Sequence, residues 1–378
     1  MFFYYEYKKS VQLIVIVYIF FLELFYSFGL LLKSGNPMDH EKEITIYDLA
    51  ENLNLSIATI SRALKDDPVV NAKTKKKITD LAQKMGYRTN HFAKNLRTRR
   101  TNTIGVIIPR LNSHFMSTAI SGMESVANKA GYNLIISQSA ESFEKEVNSA
   151  RIMFNNRVDG LLVSLAYETK NLDHFKPFKE KKIPLIFFDR TEEQPAFISI
   201  LLDNKKAGYD ATVHLIQQGC RRIAHITADS TRNVYFDRMQ GFKDALNQYQ
   251  IPVYENLIFK GNLSIEFGKD TADRILAMNT KPDGIFVAND SCAVSCLLRL
   301  KQAGIRIPED IAMVGFNNDP VSIVVEPNLS TIDYPGYEMG ELAVLQLISH
   351  LNGSQLMQKT KTIILHHELL IRKSSVRS

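Results

Sequence analysis

The chain is predicted to be an α/β protein with a small helical head in front of its main body. Three observations predict this. Between residues 104 and 378, short β-branched runs alternate with amphipathic helical stretches, the pattern of parallel sheets covered by helices on both faces. Between residues 43 and 86, three amphipathic segments separated by polar breaks read as short helices. The net charge of +6 is also uneven: residues 38–103 hold thirteen Lys and Arg against eight Asp and Glu, whereas residues 104–378 hold 30 of each sign. A basic module beside a neutral body suggests a polyanion partner for the module alone. With 378 residues, 45% of them apolar, and only 12 prolines, the chain can bury two or three cores and is neither disordered nor fibrous.

Residues 1–37 form a hydrophobic leader. Val11–Leu32 is interrupted only by Gln12, Glu23, Ser27 and Gly29, with Lys8, Lys9 and Lys33 at its flanks. By length and hydropathy this is a membrane span. Three readings stand: a membrane segment, a secretory signal, or sequence upstream of a mis-assigned start. The signal is least favoured, because no convincing small-x-small cleavage site follows. Met38 precedes the polar run Asp39–Glu43, which opens the first well-formed domain, and a start there is the favoured reading.

The head spans residues 38–89. Ile46, Leu49, Ala50 and Leu53 share one helical face, with Thr45 and Asp48 spaced as a capping box. Asn54-Leu55-Ser56 breaks this helix, and Ser56 caps a second whose inner face is Ile57, Ile60, Ala63 and Leu64. A third follows Asn71, with Ile78, Leu81, Ala82 and Met85 inward and Lys73, Lys75, Lys76 and Lys77 outward, and stops at Gly86. This is the layout of a helix-turn-helix unit, whose second helix enters the major groove. Ile57, Ala58, Thr59, Ser61 and Arg62 would face the bases. Arg62 can fork onto a guanine, while Ile57 and Ala58 offer only apolar contact, for instance to a thymine methyl. On spacing alone, a three-helix bundle without a ligand competes with this reading.

In the body, the strand candidates include Ile104–Ile108, Asn133–Ser137, Gly160–Ser164, Leu185–Phe188, Ile223–Ile226, Gly284–Val287 and Ala312–Gly315. Helical stretches intervene, among them Phe115–Gly131, Asp203–Gln217, Phe236–Gln248 and Ser291–Ala303. The length suits two such layers joined by crossovers. Ligands in these folds sit at the carboxyl ends of strands, which singles out Asp189, Arg190, Asn289, Asp290, Asn317 and Asn318. Asp203 reads as a helix cap. Arg238 reads as lying in a first helical turn, against the macrodipole preference, so that an anionic or polar group should face it. No Gly-rich phosphate loop follows a strand and no nucleophile elbow is present, so nucleotide or acyl-transfer chemistry is unsupported. Catalytic residues, cofactors and metals are therefore expected to be absent. Cys220, Cys292 and Cys296 are too few for a disulfide framework and fit a reduced compartment; Cys292 and Cys296 read as half-buried thiols on a helix.

These residues resemble the lactose-repressor/purine-repressor family. Ile44–Ala50 followed by Leu55–Leu64 is similar to its DNA-binding headpiece, Met85–Asn90 and Ala93–Arg97 to its hinge, and Ile104–Pro109 to the first strand of its core. The resemblance runs in family order from about residue 43 to the C-terminus. It implies a hinge helix and linker at residues 90–103, in which Leu96 wedges open a minor-groove step beside Asn90, Ala93, Lys94 and Arg97. It also implies headpiece contacts from Thr45, Ile57, Ala58, Thr59, Ser61 and Arg62. Residues 104–378 then become a two-lobed core, similar to periplasmic sugar-binding proteins, for effector binding and dimerisation. Its effector contacts would be His114, Phe115, Asp189, Arg232, Arg238, Asn289, Asp290 and Asn317. Two departures are Leu53, where the family has a small residue, and Asn317, where several relatives carry aspartate.

The expected function is a homodimeric transcription regulator, in the repressor sense, that binds double-stranded operator DNA in the cytoplasm beside the nucleoid. Its affinity would be set by a small-molecule effector, a sugar or another polar metabolite. The competing reading is a membrane-tethered or exported solute receptor, which leaves residues 43–103 unexplained.

Overall fold

The computed structural model describes residues 44–87, 100–192, 197–229, 231–353 and 361–377. The leader and the hinge residues Asn90, Ala93, Lys94, Leu96 and Arg97 lie outside the described residues. Chain contacts divide the molecule into two units, with the boundary between Arg97 and Thr98.

The first unit contains helices α1 (Ile46–Leu53), α2 (Ile57–Ala63) and α3 (Ala72–Lys84). Each begins at a side-chain cap. Thr45 and Asp48 form the predicted capping box, Ser56 accepts from the Thr59 amide, and Asn71 accepts from the Thr74 amide. α1 ends because Asn54 turns left-handed at φ 52°, a conformation asparagine tolerates. Leu49, Ile60 and Ile78, one from each helix, are fully buried together, and Leu53 packs against their cluster.

The second unit is a pair of parallel sheets. The first lobe contributes β1 (Thr103–Ile108), α4 (His114–Lys129), β2 (Asn133–Gln138), α5 (Phe143–Asn155), β3 (Gly160–Val163), α6 (Lys176–Glu180), β4 (Leu185–Phe188) and β5 (Ile198–Leu202). The second continues with α7 (Asn204–Gln217), β6 (Ile223–Thr227), α8 (Asn233–Gln248), β7 (Ile258–Lys260), α9 (Ile265–Leu276), β8 (Gly284–Val287), α10 (Asp290–Gln302), β9 (Ala312–Asn317), α11 (Val321–Val324) and β10 (Ser330–Asp333). The chain then recrosses through α12 (Gly336–Leu351), which packs on α4 and on β3, β4 and β5. β11 (Thr362–Leu365) extends the first sheet, and β12 (Glu368–Leu370) closes the second as its one antiparallel pairing among the described residues.

The two sheets share one order, β2-β1-β3-β4-β5-β11 and β7-β6-β8-β9-β10-β12. The chain therefore crosses between lobes three times: at Asp203, at Tyr334–Pro335 and at His366–His367. Such sheets open a crevice where strand order reverses, beyond the carboxyl ends of the strands. The central strands read as continuous apolar runs because both faces are covered: β3, β4, β6 and β8 are buried at every position.

Each lobe also contains one helix pair in reciprocal glycine contact. A Cβ on Gly122 of α4 would collide with the Tyr337 carbonyl of α12, and one on Gly340 of α12 with the Ala119 carbonyl of α4. Gly208 of α7 and Gly241 of α8 stand likewise against Arg238 and Lys205 carbonyls. These contacts let the helix axes approach more closely than larger side chains allow.

Two expectations need correcting here. Cys292 and Cys296 are fully buried rather than half-buried, and burial pushes the Cys292 thiol up to about 12. Lys75 is not a free outward charge: its ammonium binds the Asp66 carboxylate and carbonyl at 2.7 and 2.9 Å. Among the described residues no cluster of His, Cys, Asp and Glu could hold a metal ion, and no helix is long and apolar enough to cross a membrane.

Candidate functional site

Two sites emerge, one in each unit. In the head, α2 leaves Ile57 41% exposed, and Ala58 and Arg62 are exposed beside it. Arg62 has no ion-pair or hydrogen-bond partner among the described residues. Its guanidinium is thus uncommitted, which a residue reading a base edge requires. Thr59 and Ser61 are half-buried, and the Thr59 hydroxyl lies 2.8 Å from that of Ser56. Thr45 is engaged by its own cap, donating to Asp48 Oδ2 at 2.6 Å. The exposed lysines Lys73, Lys76 and Lys77 are carried by α3.

In the body, a cavity of about 870 Å³ lies between the lobes. It is walled by the carboxyl ends of β1, β4, β6, β8 and β9 and by the crossover after β10. His114 and Phe115 enter it from the first turn of α4, and the Phe115 ring stacks on Tyr334 with centroids 4.1 Å apart. Asp189, at φ 60°, turns its carboxylate inward after β4, where it accepts from Tyr334 Oη at 2.6 Å and Ser164 Oγ at 3.2 Å. Burial raises its pKa, while the charge of Arg190 and the Tyr334 hydrogen bond pull the other way.

Arg238 is 4% exposed and lines the same cavity. Its guanidinium donates to Asn204 Oδ1 at 2.8 Å and the Ala288 carbonyl at 2.9 Å, and lies over the Phe316 ring at 3.5 Å. The helix begins at Asn233, three residues earlier than the sequence suggested, so Arg238 sits in the second turn and not the first. No carboxylate bonds to it directly; the aromatic face and neutral oxygens hold its charge. Burial lowers its pKa. Asn289 caps α10 by accepting from the Cys292 amide at 3.1 Å and still faces the cavity, as does Asn317.

Two expected contacts do not line the cavity. Arg232 instead ties the lobes together: it donates to the carbonyls of Tyr167 at 3.3 Å and of Thr169, and to Glu192 Oε1 at 3.4 Å. Asp290 points beneath β9, where Gly315 leaves room for it and where it accepts from Thr331 Oγ1 at 2.7 Å and the Asp319 amide at 2.8 Å. Burial and the adjacent Asp319 carboxylate push its pKa up to about 8. The side chain of Asp203 caps α7 through the Lys206 amide, as expected.

Sequence reasoning missed Tyr334, Tyr235, Glu141 and Asp319. Glu141 accepts from Arg190 at 2.8 Å, from Arg110 at 3.2 Å and from the Tyr167 amide at 2.9 Å, which fixes one rim of the cavity. Arg190 also reaches Tyr235 Oη of the opposite lobe at 3.2 Å. The one available signal was that Tyr334 follows a short β-branched run, Ser330–Asp333.

Comparison with known proteins agrees with this division. Residues 45–90 match bacterial regulatory proteins of the lacI family, and residues 212–375 match the periplasmic binding protein-like domain. The chain is 32% identical over 335 residues to the HTH-type transcriptional regulator RegA of Clostridium saccharobutylicum, spanning 88% of this chain and 99% of that one. A structure of the lac repressor dimer bound to operator and the anti-inducer ONPF superposes with a TM-score of 0.79 at 24% identity, covering 89% of this chain and all of that one. A lacI-family regulator from Enterococcus faecium with bound ribose gives 0.65 at 25% identity, over 72% and 98% of the two chains.

Proposed function

Because the chain belongs to the lacI family of bacterial regulatory proteins, we propose that it is a sequence-specific transcriptional repressor whose operator affinity is set by a small molecule, most simply a sugar, held between the two lobes. One observation carries this reading: an uncommitted arginine on a capped recognition helix, Arg62 on α2, shares a chain with a cavity of about 870 Å³ walled by two hinged lobes. The repressor acts as a homodimer on a near-palindromic operator, since two-fold symmetry pairs two recognition helices one helical turn or more apart. α2 reads the major groove through Ile57, Ala58 and Arg62, with Thr45, Thr59 and Ser61 buttressing the backbone approach. Leu96 wedges the minor groove, with Asn90, Ala93, Lys94 and Arg97 against the phosphates. No residue is assigned a catalytic step, and the site of action is the cytoplasm.

The effector contacts are His114, Phe115, Asp189, Arg238, Asn289 and Asn317. Three crossovers form a hinge, so an effector that touches both lobes favours one lobe angle over others. Arg190, Arg232 and Asn233 supply hydrogen bonds specific to one such angle. The energy difference between angles is what couples effector to operator.

Selection of genomic fragments by the purified protein at physiological ionic strength tests the reading. A short palindromic sequence should be enriched over random duplex, and a sugar should change that enrichment. Equal affinity for every duplex, with and without sugars, would overturn it.

A further inference from the structure

The turn after β9 aims a carboxylate into the cavity and leaves it unanswered. Asp319 is 7% exposed, lines the cavity, and its Oδ1 has no hydrogen-bond partner among the described residues. A buried acceptor without a donor is costly, so its retention asks for an explanation. The turn that holds it is built with some strain. Asn317 and Asn318 stand at φ 111° and 56°. Asn318 is fixed by Asp333 Oδ1 and by Arg372, both at 2.7 Å, and the Asp319 amide is fixed by Asp290 Oδ2 at 2.8 Å. Strained backbone locked from several sides is characteristic of positions that present a group to a ligand.

The surrounding charges define that ligand. Arg110 and Arg190 are both bound to Glu141. Arg372 is spent on Ser322, Leu329 and Asn318. Arg238 lies over Phe316 with two of its nitrogens on neutral oxygens. Glu168, Asp229 and Glu266 also line the cavity, without an ion-pair partner among the described residues. An incoming anion would meet this surplus of acid, whereas a hydroxyl or ammonium would supply the donor that Oδ1 lacks while a hydroxyl oxygen could accept from Arg238.

We propose that Asp319 anchors the effector by accepting a hydrogen bond from it, and that the effector is an uncharged or cationic donor, a sugar hydroxyl or a sugar ammonium, and not a phosphorylated sugar. This rests on the effector-binding reading and adds to it a residue and a charge class. Asp319 sits opposite His114 of the first lobe, whose charge acts on it across the cavity. A ligand held by Asp319 on one side and by Phe115 or Asp189 on the other touches both lobes at once.

The test uses the full chain, with thermal shift and calorimetric titration against D-glucose, D-galactose, D-ribose, D-glucosamine and D-glucose 6-phosphate. A neutral or amino sugar should stabilise the protein saturably, and the phosphate should bind at least tenfold more weakly than glucose. Asp319→Asn should weaken the stabilising sugar at least tenfold, and glucosamine more than any neutral sugar. The unliganded variant should melt no lower than the parent, because it loses an unanswered charge. Asp319→Ser serves as the second variant should the first fold poorly. Unchanged affinity in these variants, tighter binding of the phosphate than of glucose, or no binding by any of the five overturns the proposal. Those results leave operator selection as it was; loss of operator selection overturns the regulator reading instead.

Discussion

Tyr334 donates its phenolic hydrogen to Asp189 Oδ1 at 2.6 Å while its ring lies on Phe115. One side chain on a crossover between lobes therefore touches the end of β4 and the start of α4, both cavity walls. The hinge and the site share this residue. Tyr334→Phe keeps the stack and removes the donor, leaving a buried carboxylate with only Ser164 on its side-chain oxygens. A loss of about 1–3 kcal/mol is expected, together with a weaker effector response, because Asp189 is then less firmly aimed. Urea denaturation and operator titration with and without effector measure the two.

Asp290 gives the protein a pH dependence of unusual sign. Burial, reinforced by the Asp319 carboxylate, raises its pKa from 3.8 to about 8. The folded state then holds a proton that the unfolded state releases, so between about pH 4 and pH 8 stability contributed by this group falls as pH rises. Asp290→Asn keeps an acceptor for the Asp319 amide and a donor for Thr331, and removes the ionisation. Its melting temperature should exceed the parent's most at pH 8 and least at pH 5. Parallel curves for the two proteins would contradict the assignment.

The paired glycines make a steric prediction. Ala at position 340 would drive its methyl into the Ala119 carbonyl, and Ala at 241 into the Lys205 carbonyl. Backbone cannot rotate away as a flexible side chain can, so the helices must separate. The helix-propensity gain of up to about 1 kcal/mol from Gly to Ala is outweighed by overpacking that costs typically 1–3 kcal/mol and here more, since backbone atoms are the obstacle. Each variant should melt lower than the parent by circular dichroism, and the pair should add, since the two sites lie in different lobes.

Much of this architecture was legible in the sequence because burial on both faces leaves an unambiguous trace. Leu185–Phe188 and Gly284–Val287 match their predicted bounds, and the capping signals of Thr45, Ser56 and Asn71 placed three helix starts. Ser330–Asp333 and Glu368–Leu370 were not singled out, being short and carrying polar residues, one at a crossover and one at a sheet edge. The site was legible where a polar residue directly ends an apolar strand, as Asp189 does. It was not where a long-range contact decides the role. Asp290 follows β8 as plainly as Asn289, yet the space above Gly315 takes its side chain away from the cavity. Asn317-Asn318-Asp319-Pro320 reads locally as a turn, and only the packing of two lobes makes it a cavity wall.

Arg62 separates base reading from phosphate binding. It is exposed and unpaired among the described residues, so Arg62→Ala should change stability by no more than about 0.5 kcal/mol. A guanidinium forked onto a guanine is worth about 1–3 kcal/mol of discrimination, roughly a 5- to 150-fold loss of operator affinity, with random-duplex affinity nearly unchanged. Lys76→Ala should behave oppositely. Removing an exposed charge from α3 weakens operator and random duplex alike and reduces the salt slope by about one counterion. Fluorescence-anisotropy titrations at several salt concentrations distinguish them, because a base contact shifts the operator line at constant slope while a phosphate contact changes the slope. If Arg62→Ala lowered both affinities in parallel with a shallower slope, Arg62 would be a phosphate contact and the reading of α2 would need a different base-edge residue.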